Sequence, residues 1–227
     1  MHIEAGVVQG AKMLLSYGTA AGVLGAGVKL AWDQIRTRGI ASLVLRSLIS
    51  TALVFVFFEI FPHYPVGVSE VHLILGTTLL MVFGLAPAMI GLAAGLLIQG
   101  LFFAPFDLPQ YGINVTTLLA SMLMLYAATR TIVPRHVAYK DITYTQMVAM
   151  SLVWEGAIVG WVAFWALYGQ GFSAENLYNI GTFGAAYMLV VIIEPLIDLA
   201  VLSLVKAYAK SDRCSILFSA RLIHCKA

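Results

Sequence analysis

EVHLILGTTLLMVFGLAPAMIGLAAGLLIQGLFF, residues Glu70–Phe103, decides how many times this chain crosses a bilayer. Read as one helix, the 34 residues would extend about 51 Å at 1.5 Å per residue. A hydrocarbon core is only about 30 Å thick. Gly84 and Pro87 fall in the middle of the stretch, and a proline inside a helix removes a hydrogen bond and clashes with the preceding turn. The stretch therefore divides into helices near 70–84 and 86–103. Outward from it, further apolar runs predict helices near 6–31, 40–61, 112–133, 144–169 and 178–207, seven in all.

The placement of charge supports seven. Lys29, Arg36 and Arg38 lie at or just beyond the end of the first predicted helix, Arg130, Arg135 and Lys140 of the fifth, and Lys206, Lys210, Arg213, Arg221 and Lys226 of the seventh. With seven spans these groups share one side. The other connections, 62–69, 104–111 and 170–177, contain no Lys or Arg, so the positive-inside rule puts them outside with the N-terminus. Six spans would place the 130–140 cluster outside. The expected fold is an all-α polytopic bundle of about seven transmembrane helices, N-terminus outside and C-terminus cytoplasmic. Residues 1–207 form the bundle with its N-terminal end, and 208–227 a cytoplasmic basic tail.

Composition agrees: 61% of residues are hydrophobic, 11% charged, and mean hydropathy is +0.92, beyond the range of soluble domains. A net charge of +2 gives no argument for a nucleic-acid partner. Ala20-Ala21-Gly22 has the small residues of a processing site, but no basic segment precedes the apolar run, and the expectation is an N-terminus that is kept. Cys214 and Cys225, the latter beside His224, are read as reduced thiols rather than a metal tract.

Met1-His2-Ile3-Glu4 gives the chain end a chelating chemistry. The α-amine, the deprotonated amide of His2 and its imidazole close adjacent five- and six-membered rings around one ion, and leave a fourth in-plane position for another imidazole. Planar nitrogen ligation suits Ni(II), Cu(II) and low-spin Co(II), whereas Zn(II) prefers a tetrahedron and Mg(II) or Ca(II) prefer oxygen. The seven-helix topology puts His2, His63 and His72 on the outer side and His136 and His224 on the inner side. An uptake site for a metal needs such a gathering of ligands on one external surface.

Charges at mid-bilayer need a partner or a cavity. Glu155 falls near the middle of the sixth helix, as a cation relay or a hydrogen-bonded structural group. Glu194 and Asp198 lie four apart on the seventh helix and are expected to pair with Arg46 of the second. Lys12 is expected to snorkel and pair with Glu59 or Glu70. Small residues at Gly18, Gly22 and Ala26, and at Gly91/Gly95 and Gly156/Gly160, predict close helix contacts, some internal and some with a partner subunit. Walker A, GxSxG, HExxH and CxxC motifs are missing, so the chain carries no ATPase of its own and no catalytic cofactor is expected.

Met1-His2-Ile3, Gly6, the stretch Gly67-Val68-Ser69-Glu70-Val71-His72-Leu73-Ile74-Leu75-Gly76, and Gly112-Ile113-Asn114 resemble the cobalt/nickel substrate-specificity components of energy-coupling factor transporters. The resemblance is spread over nearly the whole length. It implies an external site where the Met1 amine, the His2 amide and imidazole and the His72 imidazole hold Ni(II) or Co(II) as cargo, with Asn114 orienting the site from behind. Ser69, Glu4 and His63 are accessory candidates. The Glu4-Ala5-Gly6 order, the Ser69-to-His72 spacing and Thr117, where a second asparagine is usual, depart from the family pattern. The implied partners are a transmembrane coupling subunit, two cytoplasmic ATPase subunits and a small accessory membrane protein, in the cytoplasmic membrane of a prokaryote. A membrane metalloenzyme subunit and a purely structural subunit are the alternatives. The former normally needs HxxxH or HxxHH runs, which this chain lacks.

Overall fold

A computed structural model describes residues 2–134, 136–208 and 216–222. The Met1 amine, Arg135, Lys210, Arg213, Cys214, His224, Cys225 and Lys226 lie outside the described residues. Among the described residues seven α-helices follow one another: α1 Met13–Arg38, α2 Ile40–Phe55, α3 Gly76–Phe83, α4 Leu85–Phe102, α5 Tyr111–Ile132, α6 Tyr144–Gln170 and α7 Ala174–Tyr208. All but α3 are long and apolar enough to cross a membrane. A capping box starts α6: the Thr143 hydroxyl accepts the Gln146 amide at 3.1 Å, and the Gln146 side chain accepts the Thr143 amide at 2.9 Å.

The third expected span, 70–84, is where the structure departs from the sequence reading. Residues 70–75 are not helical. Ser69–Val71 form strand β2, paired antiparallel with β1, Tyr64–Val66, and an extended run leads from it to α3, which has only eight residues. Leu75, at φ 56°, makes the bend into the helix, a left-handed conformation that costs a non-glycine residue about 1–2 kcal/mol. Four extended and eight helical residues still reach about 25 Å, close to a membrane core. This segment is surrounded by protein, which satisfies the rule that irregular backbone at membrane depth must be shielded from lipid. The Trp154 ring fills the place of a Cβ on Gly76, so the backbone lies directly against α6.

The elements sort to two ends. Residues 2–9, the hairpin, the start of α5 and the α6–α7 turn gather at one: Ile3 bridges to Ser69, Gly169 abuts the Val7 carbonyl, and Gly67 abuts that of Asn179. At the other end residues 216–222 fold back on the bundle instead of trailing from it. Ser219 donates its amide to Val82 at 2.7 Å, and Tyr139 and Lys140 donate theirs to Arg221 and Leu222. Arg36, Arg38, Arg130, Lys140, Lys206 and Arg221 all belong to this second end, as the charge pattern requires.

Several pairings differ from expectation. Arg46 does not meet Glu194 or Asp198; it donates to the carbonyls of Phe83 at 2.7 Å and Ser42 at 3.1 Å. Asp198 accepts from the hydroxyls of Thr78 and Ser151, each at 2.6 Å. Glu194 Oε1 accepts from the Ile74 amide, while its Oε2 is buried without a hydrogen-bond partner among the described residues. Lys12 donates to the Gly169 carbonyl at 2.8 Å rather than pairing with Glu59 or Glu70. Of the small-residue pairs, Gly91 and Gly95 pack tightly on Ser50 and Val54, fixing α4 against α2. Gly18, Gly22 and Gly25 of α1, and Gly156 and Gly160 of α6, face open space.

Candidate metal centre

The site is a product of strand register. β1 and β2 are joined by the two residues Gly67 and Val68, with Gly67 at φ 62°, the left-handed value that a tight hairpin turn needs at its first position. The N-terminal segment lies antiparallel along β2. Ile3 bridges to Ser69, the Glu70 amide donates to the His2 carbonyl at 2.9 Å, and the Glu4 amide donates to that of Val68 at 3.1 Å. Ile3 opposite Ser69 places His2 opposite Glu70, and the period of two puts His72 on the same face as Glu70. His2 thus meets Glu70 directly and His72 diagonally.

The three side chains converge. His2 Nδ1 lies 2.8 Å from Glu70 Oε2 and 3.1 Å from His72 Nε2, and His72 Nε2 is 2.8 Å from the same carboxylate oxygen. These are the His/Asp/Glu/Cys ligand atoms that cluster closely enough to hold one ion among the described residues. At a ligand distance of about 2.0–2.1 Å, edges of this length subtend angles of roughly 90° at the ion. That is the angle between adjacent ligands in planar or octahedral fields and is narrower than a tetrahedron allows. Nδ1 is also the His2 nitrogen that the six-membered chelate ring requires.

Neighbours hold this arrangement. Asn114, at the start of α5, accepts the Ile3 amide at 2.9 Å, and the Ser69 hydroxyl donates to the His2 carbonyl at 2.8 Å. His63 stacks on His72 with ring centres 5.0 Å apart. Phe58 packs its ring edge-on against both His2 and His72 from a π-helical turn, Val56–Ile60, that ends the second helix. Gln99 of α4 and Asp107 of the turn before α5 border His2 as well. Glu4 keeps its carboxylate outside the trio, near Glu70.

Burial sets the electrostatics. It lowers the His2 imidazole to about 4 despite the opposing pull of Glu70, and drives His72 well below its ordinary value for the same reason. Both rings are therefore neutral and ready to ligate at physiological pH. Burial alone would raise Glu70, but hydrogen bonds with His2 and His72 outweigh it and keep the carboxyl far below the usual range. Burial, then Glu70, raises Glu4. Glu4, Glu70 and Asp107 make this end acidic, a field that concentrates cations at the mouth of the site.

Of the residues singled out by sequence, His2, His72, His63, Ser69 and Asn114 come together, Glu4 stands nearby, and His136 lies at the opposite end. Glu70 is the candidate ligand that the sequence reading missed. On a helix it would lie about 200° around from His72, whereas on a strand the two share a face. Tyr64 to Val71, with its Pro-Val-Gly turn, carried a hairpin signal that the helix reading obscured.

The model of the family described as CbiM, cobalt uptake substrate-specific transmembrane region, matches residues 2–211. Comparison with curated proteins finds no significant match. Two crystal structures share the fold. One, of a transition metal transporter, is 19% identical, with a TM-score of 0.66 over 96% of each chain. The other, of a truncated transition metal transporter, is 18% identical, with a TM-score of 0.61 over 92% of this chain and 97% of its own.

Proposed function

The chain belongs to the family of cobalt uptake substrate-specific transmembrane regions, and is therefore a multi-pass membrane component of metal uptake; from this premise we propose that it is the capture subunit of an ATP-driven energy-coupling factor importer for Co(II) or Ni(II). The observation that carries the proposal is the placement of His2 Nδ1 and His72 Nε2 3.1 Å apart at one end of the bundle. In this reading the Met1 amine and the His2 amide complete a planar nitrogen set with the two imidazoles. Glu70 offers an oxygen adjacent to both rings, which admits five- and six-coordination and so accommodates Co(II) alongside Ni(II).

The capture end faces outward, because the basic residues collect at the other end. The incoming ion displaces protons from the amine and the amide, while the imidazoles, already neutral, give none up. The acidic rim draws the ion in, and Asn114 and Ser69 keep residues 2 and 3 in register with β2. Reorientation takes its energy from two ATPase subunits through a transmembrane coupling subunit. The open small-residue face of α1, at Gly18, Gly22 and Gly25, is the docking surface for that coupling subunit.

Equilibrium dialysis of the purified chain with Ni(II) and Co(II) tests the ligand set. His2→Ala and His72→Ala each abolish tight binding, His63→Ala weakens it in part, and His136→Ala leaves it unchanged. Tight binding by His72→Ala would remove that residue from the site.

A further inference from the structure

At the end of the bundle away from the metal centre, a cavity of about 290 Å³ lies between α1, the start of α2, the α3–α4 turn and residues 219–221. Its lining includes Gln34, Arg38, Arg46 and Arg221 but, among the described residues, no Asp or Glu. Arg46 is 2% exposed; its Nε and one terminal nitrogen are engaged, and the other, Nη2, is buried with no partner. Arg221 has the same deficit: one terminal nitrogen donates to the carbonyls of Val133 and Pro134, and Nε is buried without a partner. The Gln34 side-chain nitrogen is a third buried, unpartnered donor.

Three orphaned donors around one cavity form a consistent chemical pattern. A buried donor without an acceptor costs about 1–3 kcal/mol, more if it is charged. Arg46, Arg38 and Arg221 also add their positive charges, and no ion pair to any of them occurs among the described residues. All the unfilled groups are donors, so the missing partner is an acceptor, and the excess positive charge makes it an anion. Guanidinium forks match the paired oxygens of carboxylates and phosphates, and of these the phosphate is the one concentrated at the basic end of a membrane bundle. The arginines are also held in place: Arg38 donates to the Phe218 carbonyl at 3.3 Å, and Arg221 lies over the Tyr139 ring at 4.9 Å.

We infer that this cavity binds a phosphate-type oxyanion between Arg46, Arg221 and Gln34, and that the bound anion clasps residues 216–222 to the α3–α4 turn. Two sources carry that chemistry, the headgroup of an anionic phospholipid and free phosphate. The basic end of a membrane bundle is where anionic headgroups gather. The inference stands apart from the metal reading and uses none of its residues.

Thermal unfolding of the full chain tests it in two arms. One compares nanodiscs of phosphatidylglycerol with nanodiscs of phosphatidylcholine. The other compares inorganic phosphate with chloride in detergent at matched ionic strength. Stabilisation in the first arm identifies the lipid headgroup, and in the second the free ion. Arg46→Gln and Arg221→Gln should weaken the effect at least about tenfold in apparent affinity, as loss of a charge-assisted hydrogen bond does. Arg46 also ties α2 to α3, so Arg221→Gln and Gln34→Leu keep the test valid if Arg46→Gln fails to fold, and an unchanged helical circular-dichroism signal reports an intact bundle. No stabilisation in either arm, or equal stabilisation of the wild type and the folded variants, would overturn the inference.

Discussion

Gly169→Ala should damage the metal centre from a position that carries none of its ligands. Gly169 lies in the last turn of α6, where its backbone is helical and alanine is favoured over glycine by about 1 kcal/mol. Any loss must therefore come from contact. A Cβ there would lie 2.0 Å from the Val7 carbonyl oxygen, 2.9 Å from the Val7 carbonyl carbon and 3.0 Å from Val8 Cγ2. Residues 7 and 8 must recede by about 1 Å or more to restore normal van der Waals separation. Metal sites tolerate ligand displacements of about 0.2 Å, and the same segment carries His2 only five residues away. Asn114 and Ser69 resist the shift at Ile3 and His2, so the cost is divided between them and the metal. The expected loss is about 10–100-fold in Ni(II) or Co(II) affinity, or roughly 1.4–2.7 kcal/mol, similar to removal of an outer-shell partner. Equilibrium dialysis measures it, with circular dichroism reporting retained helix. A folded Gly169→Ala protein with unchanged affinity would refute the claim that the α6 end sets the position of His2.

Glu70→Gln keeps the size of the side chain but removes its charge; metal affinity should fall about 10–100-fold by dialysis, and unchanged affinity would exclude Glu70 as a ligand. Acid should loosen the metal-free site in a defined window. His2 is lowered from 6.5 to about 4, so the unfolded chain holds more protons between those values. The stability it contributes is present above pH 6.5 and lost as pH falls toward 4, and Glu70, also lowered, acts in the same direction below about 4.5. Asp107, which burial raises from 3.8 to about 6, acts in the opposite direction between those values. The His2 contribution is therefore read as the difference in melting temperature between the wild type and His2→Ala in detergent. The wild type should lose ground to the variant as pH falls from 6.5 to 4, and a constant difference would contradict the buried neutral pair. Metal affinity should weaken higher up, between about pH 8 and 6, through the α-amine, whose unperturbed pKa is about 7.7–8.0, together with the His2 amide proton that binding also releases.

Hydropathy and charge made the bundle legible. The boundaries of α4, α5 and α6, and of α2 with the π-helical turn that carries it on to Ile60, lie within a few residues of those expected, because each is a long apolar run closed by glycine, proline or charge. The stretch from Glu70 to Leu75 was misread because its apolar character comes from burial inside the protein rather than from facing lipid, while Gly76–Phe83 is helical as expected. Periodicity cannot separate a shielded extended run from a helix. That misreading concealed Glu70, since only a strand puts it beside His72. The histidines were legible because the basic clusters fixed which connections share an end. The Arg46 pairing failed for another reason: similar depth in two helices says nothing about which faces meet, and Arg46 turns toward Phe83, away from α7.

The central claim is that the chain end itself is part of the ion's coordination shell. The direct measurement is Ni(II) and Co(II) dialysis of two purified proteins, one beginning at Met1 and one carrying a single extra residue before it, each verified by intact mass. The extension leaves His2, Glu70 and His72 in place and moves only the amine, which no longer closes a five-membered ring with the His2 amide. The account predicts that tight binding is lost with the extension and retained by the protein that begins at Met1. Undiminished affinity in the extended protein would contradict it and confine capture to the His2, Glu70 and His72 side chains.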